Sequence, residues 1–372
     1  MMRITNTMMT QSVIRNINDN MGRLSSAQEE TSTGVKIQEA SDNPVAATKT
    51  LQYRSVIAKI EQYQSNASDA ISWMKVTSST LDSLTDAVQQ IRDLTAQAAG
   101  GILDGTELEA ISAQVSEIKS SIGELMNTQY AGRYIFGGYA TDESPYDTTT
   151  TTVTDSTTGE ATDLEQTTFK GQYLSLYNAV SSSVDSTGLV NAYNTYASTT
   201  SGTTTTSNIY TSTGTQEIKY NTGYSSQTAV NVEGQNVTGT GTSSLFDTID
   251  KLLLGLDGET TYQSVVVDST TGLATGTTST TFTLDGLLDE IDANLSAIST
   301  ETSDLGARMN YVETCTSRLA SDYTTYTGLL SSNIDSDISV ATTEYATAQT
   351  IYDASLSVGA KVITKTLVDY LT

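Results

Sequence analysis

The stretch IEQYQSNASDAISWMKVTSSTLDSLTDAVQQIRDLTAQA, Ile60 to Ala98, carries two interleaved rows of mostly apolar residues, each with a seven-residue spacing. One row runs Ile60, Ala67, Met74, Leu81, Val88, and the other Tyr63, Ala70, Thr77, Leu84, Ile91, Ala98. Two such rows make a single seam on a long helix, the pattern of a coiled coil. Ser41-Asp42-Asn43-Pro44 marks the start, with capping side chains and a proline where the first turn needs no N–H donor. Gly100-Gly101 marks the end. At 1.5 Å per residue, Pro44–Ala99 reaches roughly 85 Å, which a compact globule rarely accommodates.

The pattern recurs on both sides. Ile14, Ile17, Met21 and Leu24 fall on one helical stripe that Thr31-Ser32-Thr33-Gly34 interrupts. Leu108, Ile111, Val115, Ile118, Ile122 and Leu125 mark a third helix from about Thr106 to Asn127. Near the C-terminus one row runs Leu284, Ile291, Ile298, Leu305, Val312, Leu319, Tyr326. Its partner runs Leu288, Leu295, Thr302, Met309, Thr316, Tyr323, Leu330. After a break at Ser331–Asp337 a last helix carries Ile338, Ala341, Tyr345, Ala348, Tyr352, Val362 and Leu367. The expected fold class is mainly α with an inserted β region. A long antiparallel helical rod, coiled-coil-like, is formed by the N- and C-terminal segments, with a small β-rich outer domain.

Residues 145–281 differ in kind: Thr and Ser dominate, with frequent Gly. Gln216–Tyr220, Ala229–Glu233, Tyr262–Val267 and Ser279–Leu284 read as strands, and Leu245–Leu256 as a short helix. For Thr148–Thr152 and Thr199–Thr206 a disordered linker competes with a strand.

Charge and residue usage exclude several functions. The chain has 372 residues, a net charge of -25 and a hydrophobic share of 37%. Lys170, Lys219 and Lys251 are the three basic residues between Tyr134 and Ala307. So acidic a surface disfavours nucleic acid and anionic membranes. With one cysteine, Cys315, and no histidine, neither an intrachain disulfide nor a Cys/His metal site is available. The absence of histidine also removes the common general base and the Ser-His-Asp arrangement. Cys315 falls in a helical pattern and reads as a semi-buried thiol. No apolar run is long enough to span a membrane, and Met1–Asn20 does not read as a cleaved signal peptide.

The remaining motifs have bland readings. Gly239-Thr240-Gly241-Thr242-Ser243-Ser244 lacks the third glycine of a dinucleotide loop and reads as a turn. Asp335 and Asp337 precede the last helix and read as capping carboxylates. Asn66-Ala67-Ser68 and Asn236-Val237-Thr238 match glycosylation acceptor triplets, which chance often produces. No catalytic, cofactor-binding or metal-binding residues are expected. Apolar rows on terminal helices need partners, and copies of the same chain can supply them.

These residues also carry a family resemblance. Met2-Arg3-Ile4-Thr5, Ser32-Thr33-Gly34 and Ser41-Asp42-Asn43-Pro44-Val45-Ala46-Ala47 resemble the N-terminal signature of the flagellin-like family. Gly132-Arg133-Tyr134-Ile135-Phe136-Gly137-Gly138-Tyr139, followed by Pro145-Tyr146, resembles the hook-associated protein 3 branch of that family. Leu245–Ile249, Leu305–Asn310, Tyr352–Leu356 and Leu367–Leu371 fit the same pattern. The resemblance covers about the first 146 and last 125 residues, not the middle.

The resemblance implies an extracellular structural protein at the hook–filament junction of the bacterial flagellum. It implies export through the flagellar type III channel without a cleaved signal. The implied partners are hook-associated protein 1, flagellin, further copies of itself in a ring-like zone, and a flagellar export chaperone. The implied division is 1–40 and 335–372 as inner assembly helices, 41–145 and 284–334 as the rod, and 146–283 as the outer domain. Ile14, Ile17, Met21, Leu24, Tyr345, Tyr352, Leu367 and Leu371 are the expected assembly interface. A filament flagellin is the alternative. An adhesin would need a clustered aromatic or charged site in the middle, and an enzyme would have to work from acidic residues there.

Overall fold

The structure, a computed structural model, describes residues 6–37, 39–41, 43–101, 104–170, 172–173, 180–200, 216–268 and 273–362. Three helices come first: α1 (Asn6–Thr33), α2 (Pro44–Gly100) and α3 (Gly105–Met126). Six strands follow: β1 (Gln129–Tyr130), β2 (Arg133–Tyr134), β3 (Tyr146–Thr154), β4 (Ala161–Phe169), β5 (Gln172–Tyr173) and β6 (Val180–Ser181). Then come α4 (Ser186–Thr200), β7 (Lys219–Asn221), β8 (Gln227–Ala229), α5 (Gly234–Thr238) and α6 (Leu245–Leu256). The chain continues through β9 (Thr261–Val267), β10 (Ala274–Thr281), α7 (Leu284–Ile334) and α8 (Ile338–Val362). It divides into two compact units, residues 1–62 with 318–372, and residues 63–317.

In the unit of residues 63–317, α2, α3, α6 and α7 share one core that fully buries Leu81, Ile91, Val115, Ile122, Leu252 and Ile298. The row from Ala67 to Val88 is buried throughout, as is its partner from Ala70 to Ala98. On α7 the row Ile291, Ile298, Leu305, Val312 is buried, whereas Leu288, Leu295, Thr302, Met309 and Thr316 are only half-buried. The deep flanking positions are Leu287, Asn294 and Cys315 instead. Around Leu287 and Asn294 the cause is a second neighbour. Asn294 Nδ2 donates to Ser243 O at 3.3 Å, and Glu290 pairs with Lys251 of α6, so α7 turns this flank toward α6 and its leading loop.

Helix starts follow their caps. Asn43 Oδ1 accepts from Ala46 N at 3.1 Å ahead of α2. Asp104 and Glu107 form a reciprocal capping box on α3. Ser244 caps α6, whose bounds are those expected from sequence. Gly239 and Gly241 have φ of 72° and 85°, and the short α5 precedes them, so the segment is a turn and not a strand-to-helix phosphate loop.

The middle holds more regular structure than its composition suggests. Thr148–Thr152, weighed above as a linker, lies inside β3, which pairs antiparallel with β4 from Tyr146↔Phe169 to Thr154↔Ala161. Threonine suits a half-buried pleated surface, and both ends of the hairpin are anchored. Tyr146 and Phe169 join the main core, while Val153 joins a second cluster with Val180, Leu189, Tyr193 and Val265. Of Thr199–Thr206, the first two residues end α4 and the rest lie outside the described residues.

Of the expected strand Gln216–Tyr220 only Lys219 and Tyr220 enter β7, and of Ala229–Glu233 only Ala229 enters β8, which lies earlier, at Gln227–Ala229. Beyond the ladder, Asn231 replaces it: Oδ1 accepts from Ile218 N at 2.7 Å and Nδ2 donates to Gln216 O at 2.6 Å. Tyr262–Val267 matches β9, whereas the expected Ser279–Leu284 strand stops at Thr281, because Leu284 opens α7.

Two predictions arise here. Ala131 in the β1–β2 turn has φ 50°, a left-handed conformation costly to residues with a Cβ, and Gly132 beside it has φ 77°. Ala131→Gly is expected to raise stability by about 0.5–1 kcal/mol in denaturant titrations. Asp185, at the start of α4, accepts from Ser156 N at 3.0 Å and Gly188 N at 2.8 Å. The Ser156 backbone and hydroxyl, then the Gly188 N–H, hold its carboxyl down to about 2, against an ordinary 3.8. The folded value lies below the unfolded one, so this contribution is present above about pH 4 and lost as pH falls toward 2. Hydrogen exchange at the start of α4 should therefore lose protection across that window, and Asp185→Asn should remove the dependence.

Candidate assembly surface

In the unit of residues 1–62 and 318–372, α1 and α8 pack antiparallel. Thr31 Oγ1 donates to Ala341 O at 3.2 Å near one end. At the other end Gly359 meets α1 closely: a Cβ there would lie 3.0 Å from Ile17 Cδ1 and 3.3 Å from Val13 Cγ1. The connections flanking the pair are tied together. Lys36 N donates to Ile334 O at 2.7 Å and Ser336 N to Gly34 O at 2.8 Å, around a bridge between Val35 and Asp335. Asp337 Oδ1 accepts from Ser339 N at 2.8 Å, the capping role expected for it. In the same unit Asn333 Nδ2 donates to Ala46 O and Thr50 Oγ1, both at 2.9 Å, and Tyr53 packs on Tyr326, so α2 and α7 run antiparallel.

The expected interface residues separate by helix face. Ile17 and Leu24 of α1, and Tyr345 and Tyr352 of α8, are half-buried. Ile14 and Met21, rotated by about 60° from Ile17 and Leu24 on a 3.6-residue helix, stay 48% and 57% exposed. Leu367 and Leu371 lie outside the described residues. The apolar stripe of α1 is thus wider than α8 covers.

A matching row on α8 was not expected. Val340, Ile351 and Val358 recur at eleven and seven residues, which brings them to one side of the helix, and all three are exposed. The spacing was readable, but the tyrosine row beside it is the more conspicuous signal. Between the helices lies a shallow groove of about 210 Å³ lined by Asn20, Arg23, Thr343, Glu344, Thr347, Ala348 and Ile351. Among the described residues no group of acidic, histidine or cysteine side chains could hold a metal ion. None of the described helices is long and apolar enough to cross a membrane. Cys315 is buried.

Long helices flanking small antiparallel sheets make this a flagellin-like fold, and residues 4–141 match the bacterial flagellin N-terminal helical region. Within that class the chain resembles flagellar hook-associated protein 3. The Salmonella typhimurium protein of that name is 28% identical over 150 residues, 40% of this chain and 47% of that protein. A flagellin of Escherichia coli O127:H6 is 33% identical over 123 residues, 33% of this chain and 22% of that protein. The chain thus spans about half the length of the hook-associated relative it matches. A solved structure of a flagellar hook-associated protein from Vibrio parahaemolyticus shares the fold. Its TM-score is 0.52 at 15% identity, over 79% of this chain and 100% of that one.

Proposed function

We propose that this chain is an extracellular structural subunit of the bacterial flagellum that joins the hook to the filament and has no catalytic role. The observation that carries the reading is the terminal helix pair, whose outward faces keep Ile14 and Met21 on α1 and Val340, Ile351 and Val358 on α8 exposed. Exposed apolar rows on paired terminal helices suit association with neighbouring subunits, at roughly 25 cal/mol per Å² of apolar surface buried. The proposed interface comprises Ile14, Ile17, Met21, Leu24, Tyr345, Tyr352, Leu367 and Leu371, with Ile14 and Met21 making contacts between subunits and Ile17 and Leu24 holding the pair together. Hook-associated protein 1 on one side, flagellin on the other, and further copies of the chain within the zone are the proposed partners. A flagellar export chaperone would hold the C-terminal segment before export through the flagellar channel.

Deletion of the gene is the direct test. Cells should keep their hooks, lack attached filaments and release flagellin into the medium, with filaments restored by the chain in trans. Filaments of normal length on the deletion strain would contradict the reading. The similarity to flagellins supports a second reading, a filament subunit, for which deletion would remove the filament without releasing flagellin.

A further inference from the structure

We propose that neighbouring copies of this chain contact one another by inserting Arg133 of one copy into an acidic cleft on the next. The contact rests on the reading above, in which several copies lie side by side, and identifies a second copy as the cleft's occupant.

The unit of residues 63–317 carries thirty-one acidic residues against eight basic ones. Two such units brought together repel, unless cations are placed at the contact. Six of the eight cations are already engaged. Arg92, Lys119, Lys219, Lys251 and Arg308 form ion pairs with Asp292, Asp250, Glu217, Glu290 and Asp304. Lys170 donates to Gln216 Oε1 at 2.9 Å and lies over the Phe169 ring. Lys75 and Arg133 remain, both exposed and neither with its side chain in an ion pair or hydrogen bond among the described residues. Lys75 sits mid-helix on α2. Arg133 follows a two-residue turn whose central residues, Ala131 and Gly132, both have positive φ, so a tight hairpin presents it to solvent.

The receptor is a cleft of about 680 Å³ between α3, α6 and the β3–β4 hairpin. Tyr146, Phe246 and Leu253 supply its apolar lining, and Ser120, Thr148 and Thr167 its hydroxyls. Four carboxylates line it, Glu124, Asp147, Glu165 and Asp250, against one ammonium, Lys119, which pairs with Asp250. The mismatch favours one more cation. A guanidinium fits best, because its planar fork of N–H donors matches carboxylates two oxygens at a time.

Charge reversal tests the contact on the full-length chain. Sedimentation velocity over a concentration series should show self-association that weakens about tenfold or more in Arg133→Glu and in Glu165→Arg. The double variant, Arg133→Glu with Glu165→Arg, should regain wild-type association, because each copy then presents the reversed pair. Both positions are exposed, so folding is not at stake, and circular dichroism checks it. Single variants that associate like wild type, a double variant as weak as the singles, or a wild-type chain that stays monomeric throughout would each overturn the proposal. None of these results bears on where the protein sits on the flagellum, which the deletion strain reads independently.

Discussion

Aspartate in place of Ile14 or Met21 is expected to abolish incorporation into the flagellum while leaving the soluble monomer folded. Both side chains are about half exposed in the single chain, so a carboxylate there can stay in water without entering the α1–α8 contact. In the proposed assembly the same carboxylate would be buried against a neighbour without a partner, a cost of several kcal/mol per subunit repeated in every copy. Ile17→Asp makes the control. Ile17 lies against Gly359, so its carboxylate would separate α1 from α8 within one chain. Circular dichroism of the purified variants and motility of complemented cells distinguish the two cases. Ile14→Asp and Met21→Asp should keep helix content and lose motility, whereas Ile17→Asp should lose both.

Replacement of Lys251 by alanine is expected to destabilise the unit of residues 63–317 by about 3 kcal/mol, near the lower end for breaking a buried ion pair. The Lys251 side chain is only 2% exposed. Its Nζ donates to Glu290 Oε2 at 2.9 Å and to the Thr242 carbonyl, and lies over the Tyr262 ring. Glu290 also accepts from Thr248 Oγ1 at 3.1 Å. One ammonium therefore ties the loop before α6, α6 itself, β9 and α7 together. Truncation leaves the Thr242 carbonyl and a largely covered carboxylate without their cation. Lys251→Met fills the space but not the charge, so the Glu290→Gln background should recover part of its loss. Urea denaturation of the four proteins measures both effects. A Lys251→Ala variant within 1 kcal/mol of wild type would show that solvent reaches Glu290 well enough to replace the ammonium.

The helical portion was legible because long helices repeat their instructions. Ala67, Met74, Leu81 and Val88 report one seam four times, and Pro44, Gly100 and Asp337 punctuate the ends. The α6 bounds were readable for the same reason: Ser244 caps an apolar run that Asp257-Gly258 closes. The middle was less legible because its strands are specified by pairing, not by local pattern. A run such as Thr148–Thr152 has no apolar alternation, and only Asp163–Thr167 opposite makes it a strand. The expected strand Gln216–Tyr220 began too early and Ala229–Glu233 ran too late, because Asn231 imitates a ladder beyond the Lys219↔Ala229 pair, which no propensity reveals. On the candidate surface, the spacing of Ile14, Ile17, Met21 and Leu24 gave the stripe but not its division between α8 and solvent. That division depends on how much of α1 a partner covers, a tertiary quantity. Lys251 was visible only as one of few cations in an acidic stretch, since its role needs Glu290, 39 residues away, and Thr242 in place.

The position of the protein on the flagellum tests the central claim most directly. Immunogold electron microscopy of native flagella, with antibody raised to residues 150–280, reads it in one image. The account predicts label confined to one narrow zone where the hook meets the filament. Label distributed along the whole filament would contradict it and make the chain a filament subunit.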